Sequence, residues 1–250
     1  MEEYVLEMLE KGVRIDGRKF EEFRKIEVQQ NIVKNAEGSA LVKLGETQVM
    51  VGVKLELGEP FEDAADEGIL IVNAEFSPLA SPDFEAGPPG EDAIELARVV
   101  DRGIRSSECI DLKSLCLEPG KIVWCVYLDI HILNHKGNLL DASALASVAA
   151  LLSTKIPKVE NGKIIRGEFE RPLPVKFKPI NVTVHKIRNK ILVDPLVEEE
   201  EFMEAGLSVC VRDDDKICAI QKQDGFLELN EIEEMVRIAV EKSREIRRLI

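Results

Sequence analysis

At 250 residues the chain is long enough for one large domain or two modest ones with a substantial core. Its 33 Lys and Arg against 47 Asp and Glu leave a net charge of −14, which argues against broad, free-standing nucleic-acid binding, because neutralising phosphates takes clustered cations. Five cysteines, odd in number and without a CxxC pair, read as reduced buried thiols, and the three histidines stand at no metal-ligand spacing with them. No stretch is apolar enough to span a membrane and the acidic N-terminus is no signal peptide, so the expectation is a soluble, cytoplasmic protein with no metal or cofactor.

In chain order, Glu2 to Lys11 reads as a short helix burying Tyr4, Val5, Met8 and Leu9, followed by a charged turn at Arg14-Ile15-Asp16-Gly17-Arg18. Lys25 to Val33 is a predicted strand. Gly38 to Leu57 alternates apolar and polar residues on both sides of Gly45-Glu46-Thr47, the pattern of a β-hairpin. An acidic loop, Glu59 to Glu67, leads to a strand at Ile69 to Phe76. The proline-rich segment Ser77 to Gly90 is excluded from regular structure.

Glu91 to Ser107 predicts a helix with Ile94, Ala97, Val100, Asp101 and Ile104 turned inward. Arg98, Arg102 and Arg105 fall at i, i+4 and i+7 and share one stripe. Two readings stand: a solvated face paired with Glu91 and Glu95, or a grip for a polyanion.

The chain is organised around Lys121 to Leu152. Val126, Leu128, Ile130 and Ile132 share one face of a predicted strand, His135-Lys136-Gly137-Asn138 forms a turn in which Gly and Asn tolerate φ > 0, and a helix rich in small residues starts near Asp141, with Asp141 or Ser143 as its cap. Strand, tight turn and helix N-terminus gather free N–H groups, which is a scaffold for an anion. The side chains contradict it: Asn138 is followed by Leu139, Leu140 and a carboxylate, with no Ser, Thr or Arg to clamp phosphate.

Pro157 to Glu170 reads as a polar connection. A second half then begins, with a hairpin over Arg188-Asn189, strands at Leu207 to Val211 and Ile217 to Lys222, and a closing helix from about Asn230 to Ile250 whose Arg244, Arg247 and Arg248 suit the negative end of its dipole. Both halves run from strands to a helix. The predicted class is therefore α+β, a pseudo-repeat of two units at 1–157 and 180–250 joined by 158–179. No GxGxxG, P-loop or metal cluster supports an unrelated metabolic enzyme.

The assembled pattern resembles the RNase PH family, and within it the non-catalytic ring subunit of the archaeal exosome. RIDGR at Arg14–Arg18, the hairpin GSALVKLGETQVMVGVK, the segment SPDFEAGPPGEDAIELARVVDRGIR and the run LDIHILNHKGNLLDASALASVAAL carry the resemblance, which covers nearly the whole chain. It implies a fold of two packed β-α-β units. Catalytic members are similar in carrying an Asp before the central helix, a Gly-Ser/Thr-Arg phosphate clamp and a later Asp in the second half. Here Lys136 stands at the first Asp, Asn138-Leu139-Leu140 at the clamp and Gly206 near the later Asp. The resemblance implies a chain without catalysis of its own, partnered with a catalytic paralogue in a ring of three heterodimers, with RNA-binding cap proteins and single-stranded RNA as further partners. It also implies RNA contact through Arg98, Arg102 and Arg105. The alternative is a phosphorolytic 3′-to-5′ exoribonuclease active on its own, with Asp141, Asp194 or Glu204 as substitute carboxylates.

Overall fold

A computed structural model describes residues 2–160 and 162–250. The elements in order are α1 (Glu2–Glu10), β1 (Ile26–Gln30), β2 (Gly38–Leu44), β3 (Thr47–Gly58), β4 (Ile69–Phe76), α2 (Glu91–Ser106), β5 (Cys116–Glu118), β6 (Ile122–Asn134), α3 (Leu139–Ser153), β7 (Lys155–Glu160), β8 (Lys163–Pro172), β9 (Ile180–Ile187), β10 (Lys190–Val193), α4 (Val197–Glu200), β11 (Ala205–Val211), β12 (Ile217–Gln223) and α5 (Leu229–Arg247).

The first sheet has the order β1-β2-β3-β6-β4, with β5 added to β6. The period-two pattern sets it: Val49, Val51, Val53 and Leu55 of β3 and Val126, Leu128, Ile130 and Ile132 of β6 are all buried on one face. β4 runs parallel to β6, and α2 makes the crossover between them. The second sheet is antiparallel, in the order β10-β9-β11-β12. One apolar core runs through both halves, from Ala40 to Ile246. The fold is thus the mixed α+β architecture expected, with α3 at its centre.

Helix α3 packs on β2 and β3 with one side and on β9 with another. Ten of its 15 residues are buried, including Ser143, Ser147 and four alanines, because only small side chains let the backbone lie close to sheets on more than one side. Strand β9 is covered on both faces: Val182 and Val184 enter the apolar core, while Asn181, Thr183 and His185 form a buried polar row between them.

Three expectations change. Pro157 to Glu170 is no bare connection: residues 155–160 and 163–172 pair as an antiparallel ladder, β7 with β8. The sequence hid it because much of β8 is solvent-exposed and lacks an apolar face. Ile94 and Tyr4 stand exposed, and Leu96 rather than Ile94 joins Ala97, Val100 and Ile104 in the buried side of α2. Arg244 and Arg247 stand in the last turn of α5 as expected and add direct contacts. Arg244 pairs with Asp215 at 2.9 Å, and Arg247 donates to the carbonyls of Lys178, Val211 and Arg212, tying the end of α5 to the second sheet.

The turn after α1 supplies a buried ion pair. Arg14, 1% exposed, meets the fully buried Glu199 with Nε to Oε1 at 3.0 Å and Nη2 to Oε2 at 2.5 Å, and donates to the carbonyls of Val193 and Asp194. Such a pair costs desolvation to bury but much more to break. Arg14→Met should therefore destabilise the fold by about 3–5 kcal/mol in denaturant titration, while Arg14→Met with Glu199→Leu should recover most of that loss.

Candidate functional site

The end of β6 leads through His135-Lys136-Gly137 into α3. Gly137 has φ +91°, and a side chain there would run into the backbone of Pro195, Leu196 and Val197. Asn138, at φ +55°, is the N-cap residue, so the helix opens at Leu139. Asp141 is therefore not the cap expected. It sits inside the first turn and reaches across to the second half, accepting hydrogen bonds from Asn181 Nδ2 at 2.9 Å, Thr183 N at 3.0 Å, Thr183 Oγ1 at 2.8 Å and Asn138 Nδ2 at 3.2 Å.

The helix mouth is already occupied by a carboxylate. The backbone N–H of Asn138 donates to Glu200 Oε1 at 2.7 Å, so the last residue of α4 fills the place where an anion would be held. Asn138 Nδ2 also meets Asp194 Oδ1 at 3.1 Å. Asp194, at φ +49° and fully buried, is caged by Arg18 Nη1 at 2.8 Å and Arg24 Nη2 at 2.6 Å. Arg24 further donates to the carbonyls of Lys136 and Gly137. Arg24 is thus fully engaged, whereas Lys136 of the turn itself is exposed.

The electrostatics follow from this packing. Burial raises Glu200 from its ordinary 4.5 to about 7, against the Asn138 hydrogen bond and the Arg24 charge, with Asp194 and Asp141 adding repulsion. Burial likewise lifts Asp141 to about 6, opposed by its hydrogen bonds from Thr183, Asn181 and Asn138. For Asp194 burial pushes upward too, but the hydrogen bonds and charges of Arg24 and Arg18 outweigh it and hold the carboxyl below its usual range.

Beside this mouth lies a cavity of about 440 Å³ between α2, α3 and the second sheet. Phe76, Phe84, His135, Leu139, Leu140 and Met203 give it an apolar and aromatic wall. Gly206 of β11 pairs with His185 on β9 at its edge, and the space a side chain at 206 would take is held by Gln223 and Met203. No group of three or more His, Cys, Asp or Glu among the described residues is arranged to hold a metal.

The arginine stripe divides. Arg98 is exposed and, among the described residues, has no ion-pair partner. Arg102 Nη1 donates to Gln221 Oε1 of β12 at 2.7 Å. Arg105 pairs with Asp101 at 2.8 Å and donates to the carbonyl of Leu70 on β4. Neither Glu91 nor Glu95 pairs with any of the three, so the solvated-face pairing expected for them is absent among the described residues. Sequence reasoning placed the helix and the turn but missed Glu200, Arg18 and Arg24. Only the i, i+4 and i+10 charges of RIDGRKFEEFR, unusually dense for a loop, signalled the latter two.

The model for the 3′ exoribonuclease family, domain 1, matches residues 22–157, and that for domain 2 matches residues 179–242. The chain belongs to the 3′ exoribonuclease (RNase PH) family. It is 50% identical over 253 residues to the exosome complex component Rrp42 of Thermococcus kodakarensis, with 99% of this chain and 93% of that protein covered. It is 51% identical over 247 residues to the protein of the same name from Archaeoglobus fulgidus, covering 98% and 93%. Among solved structures, a chain of the Archaeoglobus fulgidus exosome with RNA bound to the active site superposes with a TM-score of 0.93 at 49% identity, over 99% of this chain and 96% of that one. A chain of an archaeal exosome core gives 0.88 at 47% identity, over 98% and 94%. No helix among the described residues is long and apolar enough to cross a membrane.

A carboxyl raised in the folded state favours folding while protonated. The stability it allows is full below its unfolded pKa and is lost as pH rises toward the folded value, here from about 4.5 to about 7. Wild type should accordingly lose more stability between pH 5 and pH 8 than Glu200→Gln does, by roughly 1–3 kcal/mol in paired thermal or urea unfolding curves. Equal losses in the two proteins would contradict the assignment of Glu200 to the helix mouth.

Proposed function

We propose that this chain is a ring subunit of an archaeal-type exosome core that turns over no RNA itself. Its role is to complete the active site of a catalytic paralogue and to position single-stranded RNA for phosphate-dependent 3′-to-5′ degradation. The ring is three heterodimers of the two paralogues, capped on one face by RNA-binding proteins, and it works in the cytoplasm. The chain divides into two units, 1–157 and 180–250, joined through 158–179. The relatives named Rrp42 and the exosome structure described as having RNA bound to its active site support this reading.

One observation carries the absence of catalysis: the helix mouth that would seat the attacking phosphate holds Glu200 instead. Three acids, Glu200, Asp141 and Asp194, crowd Asn138, and Arg24 is spent on Asp194 and backbone carbonyls. Inorganic phosphate would have to displace an internal carboxylate and then meet net negative charge. Of the substitute carboxylates of an independent nuclease, Asp141 is tied by four hydrogen bonds and Asp194 sits in an arginine cage, while Glu204 is exposed and does not line the cavity.

Arg98, Arg102 and Arg105 are the RNA-contacting residues of this reading. All three are exposed, and backbone phosphates demand charge rather than sequence readout. Arg98 is the least engaged, Arg102 needs only to release Gln221, and Arg105 contributes from a position fixed by Asp101 and Leu70.

The purified chain incubated with 3′-labelled RNA, phosphate and magnesium should release no nucleoside diphosphates, and the same chain assembled with its catalytic paralogue should degrade the RNA. Release by the chain alone would overturn the reading. In the assembled ring, Arg98→Glu and Arg102→Glu should each slow degradation roughly ten- to a hundredfold, the scale of losing one charged hydrogen bond of roughly 1.5–3 kcal/mol, with the ring intact by light scattering. Arg105→Glu should slow it as well and also loosen α2 from β4.

A further inference from the structure

We propose that the cavity between α2, α3 and the second sheet is a binding site for an uncharged nucleobase or nucleoside that presents an N–H donor, one from which phosphorylated forms are turned away. Its volume of about 440 Å³ lies within the 300–1,000 Å³ typical of small-ligand sites, and its lining joins an apolar and aromatic side to a polar, mostly acidic one.

Two features specify the ligand. The first is a flat aromatic wall: the Phe84 and His135 rings stack with centroids 5.4 Å apart and planes 10° apart, and Phe76 packs on Phe84 with centroids 4.7 Å apart. Such a surface suits the π-face of a base whatever its identity. The second is an orphaned acceptor. His185 lines the cavity, is 4% exposed, and its Nδ1 contacts the sulfur of Met203 while its Nε2 has no hydrogen-bond partner. Burial lowers its pKa to about 4, so the ring is neutral, and a proton on Nδ1 facing Met203 leaves Nε2 a bare acceptor. Buried polar atoms of this kind are costly unless something pairs with them. An amino or imino N–H of a base does so.

Charge sets the limit on what may enter. Asp92, Glu95, Glu200 and Asp224 border the cavity against the single cation Lys222. A phosphate attached to the ligand would meet that acidic border and a helix mouth whose free N–H is already used by Glu200.

The inference rests on phosphate being excluded, as the proposed function requires, and one set of titrations separates the two. Calorimetry of the purified chain with adenosine, AMP, oligoadenylate and inorganic phosphate should show adenosine binding, AMP and oligoadenylate at least about tenfold weaker, and no heat from phosphate. The ¹⁵N resonance of His185 Nε2 should shift on adding adenosine. Phe84→Ala, a change in a surface loop, should weaken adenosine about tenfold, and His185→Phe should remove its binding while both proteins melt as folded chains. No adenosine signal at about 10 mM, a ligand weaker than any useful site, would overturn this inference alone. AMP binding as tightly as adenosine, or adenosine affinity indifferent to Phe84→Ala, would overturn it too. Heat from inorganic phosphate that disappears on blocking the helix mouth would overturn both this and the proposed function.

Discussion

The hydrogen bond from the Asn138 backbone to Glu200 is the constraint on which the centre of this molecule depends. A helix N-terminus enclosed in protein must find acceptors for its N–H groups. Here the acceptor is supplied from the second half of the chain, by a carboxylate held only part-ionised at neutral pH. Placing Glu200 there requires α4 to lie against the turn, and α4 is held by the Arg14 pair with its neighbour Glu199. That in turn requires Asp194 to bend into the left-handed region and to be neutralised by Arg18 and Arg24. The charged loop RIDGRKFEEFR is therefore the clamp that brings the two halves together around α3.

The same geometry separates what holds the scaffold from the side chains the scaffold carries. Strand, turn and helix are fixed by backbone demands: positive φ at Gly137 and Asn138, a strand buried along one face, and a small-residue helix between sheets. The reactive side chains are a separate layer. At this end of the scaffold Leu139 and Leu140 present apolar atoms to the cavity, and Met203 and Gln223 take the space a side chain at Gly206 would need.

Much of this was legible in the sequence because it rests on local periodicity. The β2–β3 hairpin, the buried face of β6, the turn glycine and the span of α2 each announce themselves within a dozen residues. What escaped rests on distance. Glu200 lies 62 residues from Asn138, and Arg14 lies 185 from Glu199, so no local pattern couples them. The β7–β8 ladder escaped for another reason, since exposed strands lack the apolar alternation that betrays them. Asp141 looked like a cap because acids favour helix starts, and only the partners arriving from β9 show its reach.

Asp141 also bears on how the chain acquires its structure as it leaves the ribosome. Three of the four donors that satisfy this buried acid come from Asn181 and Thr183, some forty residues later. Until those have emerged, the face of the central helix that β9 covers stays open and its carboxyl hydrated, and burying that acid without its donors is penalised. Synthesis and final compaction are thereby put in order: the leading portion waits, loosely assembled, for the trailing strands before its interior can seal.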